Sequence, residues 1–321
     1  MLRTVVARSP DDLDRIGTLW EHLYNSGNHT LFQSFAWNRL AAQYFASREE
    51  PYVVAVEGDS GAAIIPAAIT DHGVTLLGEA LFDYRNVLWT GEANILTCAW
   101  REVANLGLPV FFTALRGTES RGAWAEFGPQ PFVNAPCILA ADTNANDFAS
   151  AHPRLARNLR RLEEQGVEVG YHPAPDPALV RQVYQLKAEH FPGSLFSDFV
   201  RVNFMVAAIA SGETKCDLFT LSRENKIVAA LVTFRDGDTR RFYTIYHDHE
   251  WARFSPGVSL LWEVTRQSLA DGLNCDYMTG EQPHKMRLAT SSVLLFRIDT
   301  PWEKLSRMVE LQWQAVSELA A

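Results

Sequence analysis

The sequence predicts an α/β (α+β) protein built of two related halves, and three observations carry this. Apolar residues make up 47% and charged residues 21% of 321 positions, a globular composition on a chain long enough for two domains. Helical and strand periodicities alternate along the chain instead of segregating. The element order of the first half then recurs in the second: strand, helix, helix, three strands, helix, strand, helix or turn, strand.

Residues 2–7 read as a strand. A helix follows over 11–24, with Ser9 or Asp11 able to cap it, and Ser34 opens another over 35–45. Strand-like runs at 52–56, 62–69, 74–77 and 87–89 are punctuated by Gly58-Asp59 and His72-Gly73. A helix fits 93–105, and strands fit 108–115 and 132–140. The polar run 141–146 departs in composition from both flanks, which places a boundary between expected domains 1–145 and 146–321. The second half starts with a helix over 154–165 and a strand over 167–172. Asp176 caps a helix reaching His190, and Ser197 caps one ending at Ser211-Gly212. Strands 215–222, 227–234 and 240–247 are joined by Glu224-Asn225 and Asp236-Gly237-Asp238, both hairpin chemistry. A helix over 256–270, a strand over 273–278, a helical piece near Pro283, a strand over 293–298 and a helix from Trp302 follow.

The formal charge of −9 favours solubility and argues against a nucleic-acid partner, DNA or tRNA. No uninterrupted apolar run reaches the length of a spanning helix, so no membrane insertion is expected. Residues 1–7 turn polar too soon for a secretory leader. Cys98, Cys137, Cys216 and Cys275 stand far apart in apolar settings, without redox or metal-ligand spacing. They read as buried thiols in a reducing, cytoplasmic compartment.

The sharpest local signal is Ser255-Pro256-Gly257. Ser255 fits an N-cap and Pro256 the first helical position, where a missing N–H costs nothing. A glycine inside the first turn costs about 1 kcal/mol against alanine. It leaves room for an anion to approach the amides of Gly257, Val258 and Ser259, which stand at the positive end of the helix dipole. A phosphate or pyrophosphate suits that place. Val258, Leu261, Trp262, Thr265 and Leu269 fall at helical spacing behind it, and Asp271-Gly272 ends the helix. No Walker loop and no G-x-G-x-x-G occurs.

Strand, two helices, a three-strand meander and a helix starting after the last meander strand resemble the GNAT acyltransferases. The letters resemble one branch further, the acetyltransferase-like proteins of cellulose and exopolysaccharide biosynthesis (the CelD/BcsL type), paired GNAT domains akin to the Fem aminoacyltransferases. The carrying segments are "LFQSFAWN" at 31–38, "FDYRNVL" at 82–88, "RNLRRLEEQG" at 157–166, "SPGVSLL" at 255–261 and "CDYMTGEQPHKMRLA" at 275–289. The branch's Tyr-Lys ending stands here as His284-Lys285, and the superfamily's glycine-rich loop is reduced to Phe254-Ser255-Pro256-Gly257.

The resemblance implies two tandem GNAT-like domains, each a mixed, mainly antiparallel sheet flanked by helices, with acetyl-CoA or another acyl-CoA as co-substrate and no metal. Ser255, Gly257, Val258 and Ser259 would hold its pyrophosphate. An amide on strand 241–247 would polarise the thioester. Tyr246, His247, Asp248 and Glu281 are the candidates for proton transfer. His247 needs least tuning, with an ordinary pKa of about 6.5; Asp248 and Glu281 equally suit turns or caps. Lys285 would contact an anionic group. His247 and His249 share a strand face without a third metal ligand nearby. Arg154, Arg157 and Arg161 share a helix face with Arg160 beside it, either for an anion or paired with Glu163 and Glu164. Trp20, Phe32, Phe35 and Trp37 read as core of the first domain, or as the wall of an acceptor groove. The expected activity is transfer of an acyl group to an amine or hydroxyl of a sugar or peptide-like acceptor. Fem-like aminoacyl transfer from tRNA and a catalytically silent scaffold are the alternatives.

Overall fold

A computed structural model describes residues 2–117 and 127–319, with side chains as far as 314. Contacts divide the chain into two units, Met1–Val133 with Leu294–Ala321, and Asn134–Val293. Each is a mixed, mainly antiparallel sheet flanked by helices, the α/β class expected.

The first unit begins with β1 (Arg3–Ala7), α1 (Pro10–Asp14), α2 (Gly17–Ser26) and α3 (Phe35–Tyr44). Strands β2 (Glu50–Gly58), β3 (Gly61–Thr70), β4 (Gly73–Leu76) and β5 (Leu88–Gly91) precede α4 (Ala93–Ala104) and β6 (Val110–Arg116). Strands β1 to β4 pair antiparallel in sequence order, β5 joins the start of β3, and β6 runs parallel to β4. The single helix expected over 11–24 is two helices. Ser9 caps the first, and the chain leaves helical geometry at Ile16. A Cβ on Gly17 would come within 3.2 Å of the Phe35 ring, so the break lets α2 lie close against the start of α3. Val54, Val56 and Ile65 of the sheet bury against Ile95, Trp100 and Val103 of α4, each worth roughly 1.5–3 kcal/mol.

The segments 31–38 and 82–88 are interior scaffold. Trp20, Phe32 and Trp37 are buried, and Phe32 meets Trp37, Phe82 and Tyr84 at centroid distances of 5.4–6.3 Å. The Gln33 amide donates to the Tyr84 carbonyl, and the Arg85 guanidinium to the carbonyls of Phe82 and Leu76 at 3.1 and 2.9 Å. The buried Glu49 carboxylate accepts the amides of Gly78 and Glu79, each at 2.8 Å. These bonds hold a loop in which Glu79 and Tyr84 take positive φ. The core reading of the three aromatics therefore prevails over a groove; Phe35 is half-buried.

The second unit contains β7 (Gln130–Ile138, from residue 134), α5 (Ala145–Ala151), α6 (Pro153–Glu164), β8 (Glu168–Pro173), α7 (Pro177–His190) and α8 (Phe199–Ala210). Strands β9 (Lys215–Arg223), β10 (Lys226–Asp236) and β11 (Thr239–His247), helix α9 (Pro256–Ala270), β12 (Asn274–Asp276) and α10 (Pro283–Leu288) follow. Strands β8 to β11 form an antiparallel meander, β12 lies parallel to β11, and the end of β7 is antiparallel to β12. Glu224 and Asn225 both take positive φ, the hairpin turn expected there. Asp176 caps α7 as read. The cap of α8 is Asp198, not Ser197: its carboxylate accepts the Val200 amide at 2.9 Å, while Ser197 closes a preceding 3-10 turn. Helix α5 lies where the linker was expected to end, and Phe148 is its one buried residue. Helix α9 has the predicted bounds and buries Leu260, Leu261, Val264 and Leu269.

The polar run 141–146 therefore lies inside the second unit by contact, and the chain's last strand and helix lie with the first. Strand β13 (Ser291–Thr300) pairs antiparallel with β6 from Leu295 onward. Helix α11 (Trp302–Leu319) packs on α4, and Ile298, Leu305 and Val309 enter the first unit's core. Cys137, Cys216 and Cys275 are buried, and burial raises their thiol pKa, that of Cys275 to about 12. Cys98 departs from its expected burial: it is half-buried, 3.7 Å from the Thr4 hydroxyl.

Candidate functional site

A fork between β11 and β12 creates the site. The two strands pair only at Thr239–Asn274, Arg240–Cys275 and Arg241–Asp276. Arg241 fixes the crotch, bonding Asp236 at 2.6 Å and also Asp276, whose other oxygen accepts the Met278 amide at 2.7 Å. Past Arg241, β11 runs on to His247 with no partner on that side among the described residues. The Asp248 amide donates to the Val228 carbonyl at 2.8 Å. Alternation along an antiparallel pair then turns the N–H and C=O groups of Ile245 and His247 away from β10, toward the open edge.

A bulge sets which side chains face which helix. Val232 pairs with Thr244 and Thr233 with Phe242, leaving Tyr243 as the extra residue. Before the bulge, Phe242 packs in the core beneath α9. After it, Ile245 and His247 face α9, while Thr244 and Tyr246 meet Tyr184 and His190 of α7. Strict alternation would have put His247 on the other face. Tyr246 is buried, bonds His190 Nδ1 at 3.0 Å, and has its hydroxyl pKa pushed up to about 12, chiefly by burial. That leaves it poorly suited to proton transfer at neutral pH.

The start of α9 abuts this edge. Ser255 occupies the N-cap in the left-handed region, φ 48° and ψ 53°, and its side chain makes no capping bond. Gly257 is buried against β11: a Cβ there would sit 3.3 Å from His247 Cβ, His247 Nδ1 and Ile245 Cδ1. The missing side chain thus allows close helix–strand packing at this point. The amides of Gly257 and Val258 have no intrahelical acceptor by position. Ser259 differs from the expectation. Its amide bonds the Ser255 carbonyl at 2.9 Å, the first helical bond that an N-cap carbonyl accepts, and its hydroxyl bonds the Phe254 carbonyl at 3.2 Å.

A cavity of about 290 Å³ opens beside that helix start, lined among others by Ser255, Val258, His152, Arg154, His284 and Arg287. Arg154 and Arg287 are exposed and bring positive charge to its rim. Of the basic residues on α6, the cavity takes Arg154; Arg157, Arg160 and Arg161 lie on exposed surface.

Basic side chains crowd around His247. Burial, then the nearby His249 and Lys187 charges, lower the His247 pKa; Asp248 opposes them in part. His284 is lowered by burial, then by Lys285, His247 and Arg287. Lys285 Nζ donates to the Thr279 carbonyl at 2.8 Å. Phe191 packs against the rings of His247 and His249 at 5.2 and 4.9 Å. Asp248 caps the following 3-10 turn, accepting the Glu250 amide at 2.9 Å. Glu281 is exposed and accepts from Asn134 Nδ2. The fold thus gathers His247, Lys285, Ser255, Gly257 and Val258, and turns Ser259 inward. Among the described residues no group of three His, Cys, Asp or Glu is arranged around a metal ion.

Two site residues were missed from sequence. Lys187 on α7 donates from Nζ to the Ile245 carbonyl at 2.6 Å, on the open edge itself. Burial first, and then Lys285, lower its pKa to about 8. Arg287 reaches the cavity from α10. Lys187 sits in an ordinary helical pattern that carries no motif, and Arg287 lies within the segment 275–289 without being singled out by it.

Residues 149–286 match a family model described as an acetyltransferase (GNAT) domain. No curated protein matches by sequence. Among solved structures, the tandem GNAT protein from the clavulanic acid biosynthesis pathway aligns with a TM-score of 0.55 at 9% identity, covering 93% of this chain and 98% of that one. FemX aligns with a TM-score of 0.58 at 11% identity, covering 92% and 98%. L-PGS from Bacillus licheniformis aligns with a TM-score of 0.58 at 10% identity, covering 94% and 97%. At these identities the likeness establishes the fold. No helix among the described residues is long and apolar enough to cross a membrane.

Proposed function

We propose, for a chain whose residues 149–286 match the model of a GNAT acetyltransferase domain, that the second unit moves an acyl group from an acyl-CoA to an amine or hydroxyl of a small, glycan or peptide-like acceptor. The observation that carries this is the meeting of three features: the open edge of β11, the amides of Gly257 and Val258, and a cavity rimmed by Arg154 and Arg287. A pantetheine arm carries amides and suits an unpaired strand edge. A pyrophosphate suits free helix amides beside two guanidinium groups. Ser255, whose hydroxyl caps nothing, adds a donor at the same place.

On this reading the Ile245 and His247 amides polarise the thioester carbonyl. His247, kept neutral by burial, takes the acceptor's proton, and the cations at Lys187 and Lys285 stabilise the departing thiolate. Asp248 acts on His247 through charge while capping its turn. Glu281, reachable by solvent, faces the acceptor. The sequence likeness to exopolysaccharide-associated proteins favours a saccharide acceptor and a role in envelope polymer synthesis.

Titration calorimetry with acetyl-CoA tests the donor. Saturable binding is expected, weakened about tenfold or more by Arg287→Glu and by Arg154→Glu, since each reverses a charge beside the diphosphate. Absence of binding to the native chain would defeat the reading. The shared fold of FemX and L-PGS favours a second one, Fem-like aminoacyl transfer from tRNA. The −9 charge weighs against it, and a thermal shift with charged tRNA but none with acetyl-CoA would reverse the order.

A further inference from the structure

Lys187 is a buried-stemmed amine on α7 that the acyl-transfer chemistry above leaves with little to do beyond lending charge. Its Nζ lies 2.6 Å from the Ile245 carbonyl, on the strand edge where the donor's thioester would lie. Its position is fixed: the ammonium also stands 5.5 Å from the centre of the Phe191 ring. It has no carboxylate partner among the described residues, and the charge that acts on it is another cation, Lys285. A structural lysine is ordinarily paired with an acid or extended into water. This one is held, partly buried, at a backbone carbonyl beside a like charge.

We propose that Lys187 is a self-acylation site: the second unit transfers the acyl group of its own bound acyl-CoA to Lys187 Nζ. This rests on the acyl-CoA reading of the site. In the step, the neutral amine attacks the thioester carbonyl carbon, a C–N bond forms and the C–S bond breaks. Coenzyme A leaves as the thiolate and takes up the proton lost from nitrogen. The products are Nε-acyl-lysine and free coenzyme A, with no other reactant needed.

Three physical features favour the step. The amine must be neutral to attack, and with its pKa near 8 about half of Lys187 is neutral at pH 8, against well under one per cent of an ordinary lysine. The attacking atom is already held at the donor's edge, so little orientation entropy remains to be lost. Acylation also removes a positive charge next to Lys285, while the amide N–H formed still donates to the Ile245 carbonyl. The added acyl group then occupies the fork, so the modification is self-limiting and blocks further donor binding.

The test uses the full chain incubated with acetyl-CoA and followed by peptide mass spectrometry, beside calorimetry of acetyl-CoA binding. The expected result is one acetyl group at Lys187, formed at a rate that saturates in acetyl-CoA. It should outpace every other lysine by about tenfold or more, equivalent to about 1.4 kcal/mol of barrier. Excess coenzyme A should suppress it, and Lys187→Arg should lack it. Acetylated chain should then bind fresh acetyl-CoA at least about tenfold more weakly. Donor binding with Lys187 unlabelled overturns the proposal and leaves the donor reading intact. Labelling spread over many lysines and linear in acetyl-CoA also overturns it, since that is uncatalysed chemistry. No donor binding overturns both. Should Lys187→Arg fold poorly, Lys187→Gln supplies the same comparison.

Discussion

At the scale of single residues, environment decides what each side chain can do. His247 is half-buried beside other cations, and its pKa falls below the ordinary 6.5. An enzyme using it as a base should keep full kcat/KM down to about pH 6.5 and lose it only below that. His247→Gln should remove that acid limb together with most of the rate; an unchanged limb in this variant would clear His247 of the role. His29 makes the parallel argument for stability. Its Nδ1 is buried without a partner, and burial, followed by Arg116, depresses its pKa to about 4. The unfolded chain therefore binds a proton that the folded one refuses between about pH 6.5 and 4. Stability from this group is complete above 6.5 and drains away as pH falls through that window. Urea midpoints measured from pH 7 to 4 should decline, and His29→Phe should flatten the decline, with a remainder from His152, His247 and His284. Gly257 is the residue most visible in the sequence, and the structure adds a packing reason for it. Sequence shows that a glycine stands in a helix's first turn; it does not show that the strand below comes within contact distance. A bulky residue there presses on His247 and Ile245 and costs roughly 1–3 kcal/mol of stability, so binding lost in such a variant reports overpacking as much as a missing phosphate site.

At the scale of elements, legibility followed local chemistry. Helix α9 was read to the residue because Ser-Pro-Gly and Asp-Gly bracket it and its apolar row is regular. The bulge at Tyr243 left no trace in the sequence, since β11 keeps a steady rhythm while the shift is imposed by pairing with β10. Yet the bulge decides that His247 faces α9. Lys187 was invisible for a similar reason: on α7 it is one more polar residue, and its meaning comes from a strand 58 positions later. The same fork makes a stability prediction. Asp276 is 6% exposed and serves both Arg241 and the Met278 amide. Asp276→Ala strands part of a buried guanidinium, which retains Asp236, and an amide. The expected loss is about 3 kcal/mol by urea denaturation, toward the lower end for a broken buried pair. A loss within 0.5 kcal/mol, typical of a surface site, would mean the crotch is held by other means.

At the scale of the whole chain, the doubled order of elements was the firmest reading, because it rests on many weak periodicities agreeing. What it could not show is which unit the last elements join, since alternation in 293–298 names no partner strand. Contacts give that answer: Ile298, Leu305 and Val309, all 2% exposed or less, lie in the core of the first unit beside Trp100 and Phe112. Strand β13 also supplies the antiparallel neighbour of β6. A chain ending at residue 293 should therefore damage the far end of the sequence from the cut. Three buried aliphatic side chains at roughly 1.5–3 kcal/mol each, with a sheet edge left open, amount to most of a typical domain stability of about 5–15 kcal/mol. Hydrogen exchange on the truncated chain should show lost protection in α4 and β6 and retained protection in β9 and β10. Two domains arranged in series, split near residue 145, require the reverse: protection kept throughout 2–117 and lost in the second unit. The two outcomes fall on opposite halves of one exchange map, so a single experiment decides between them.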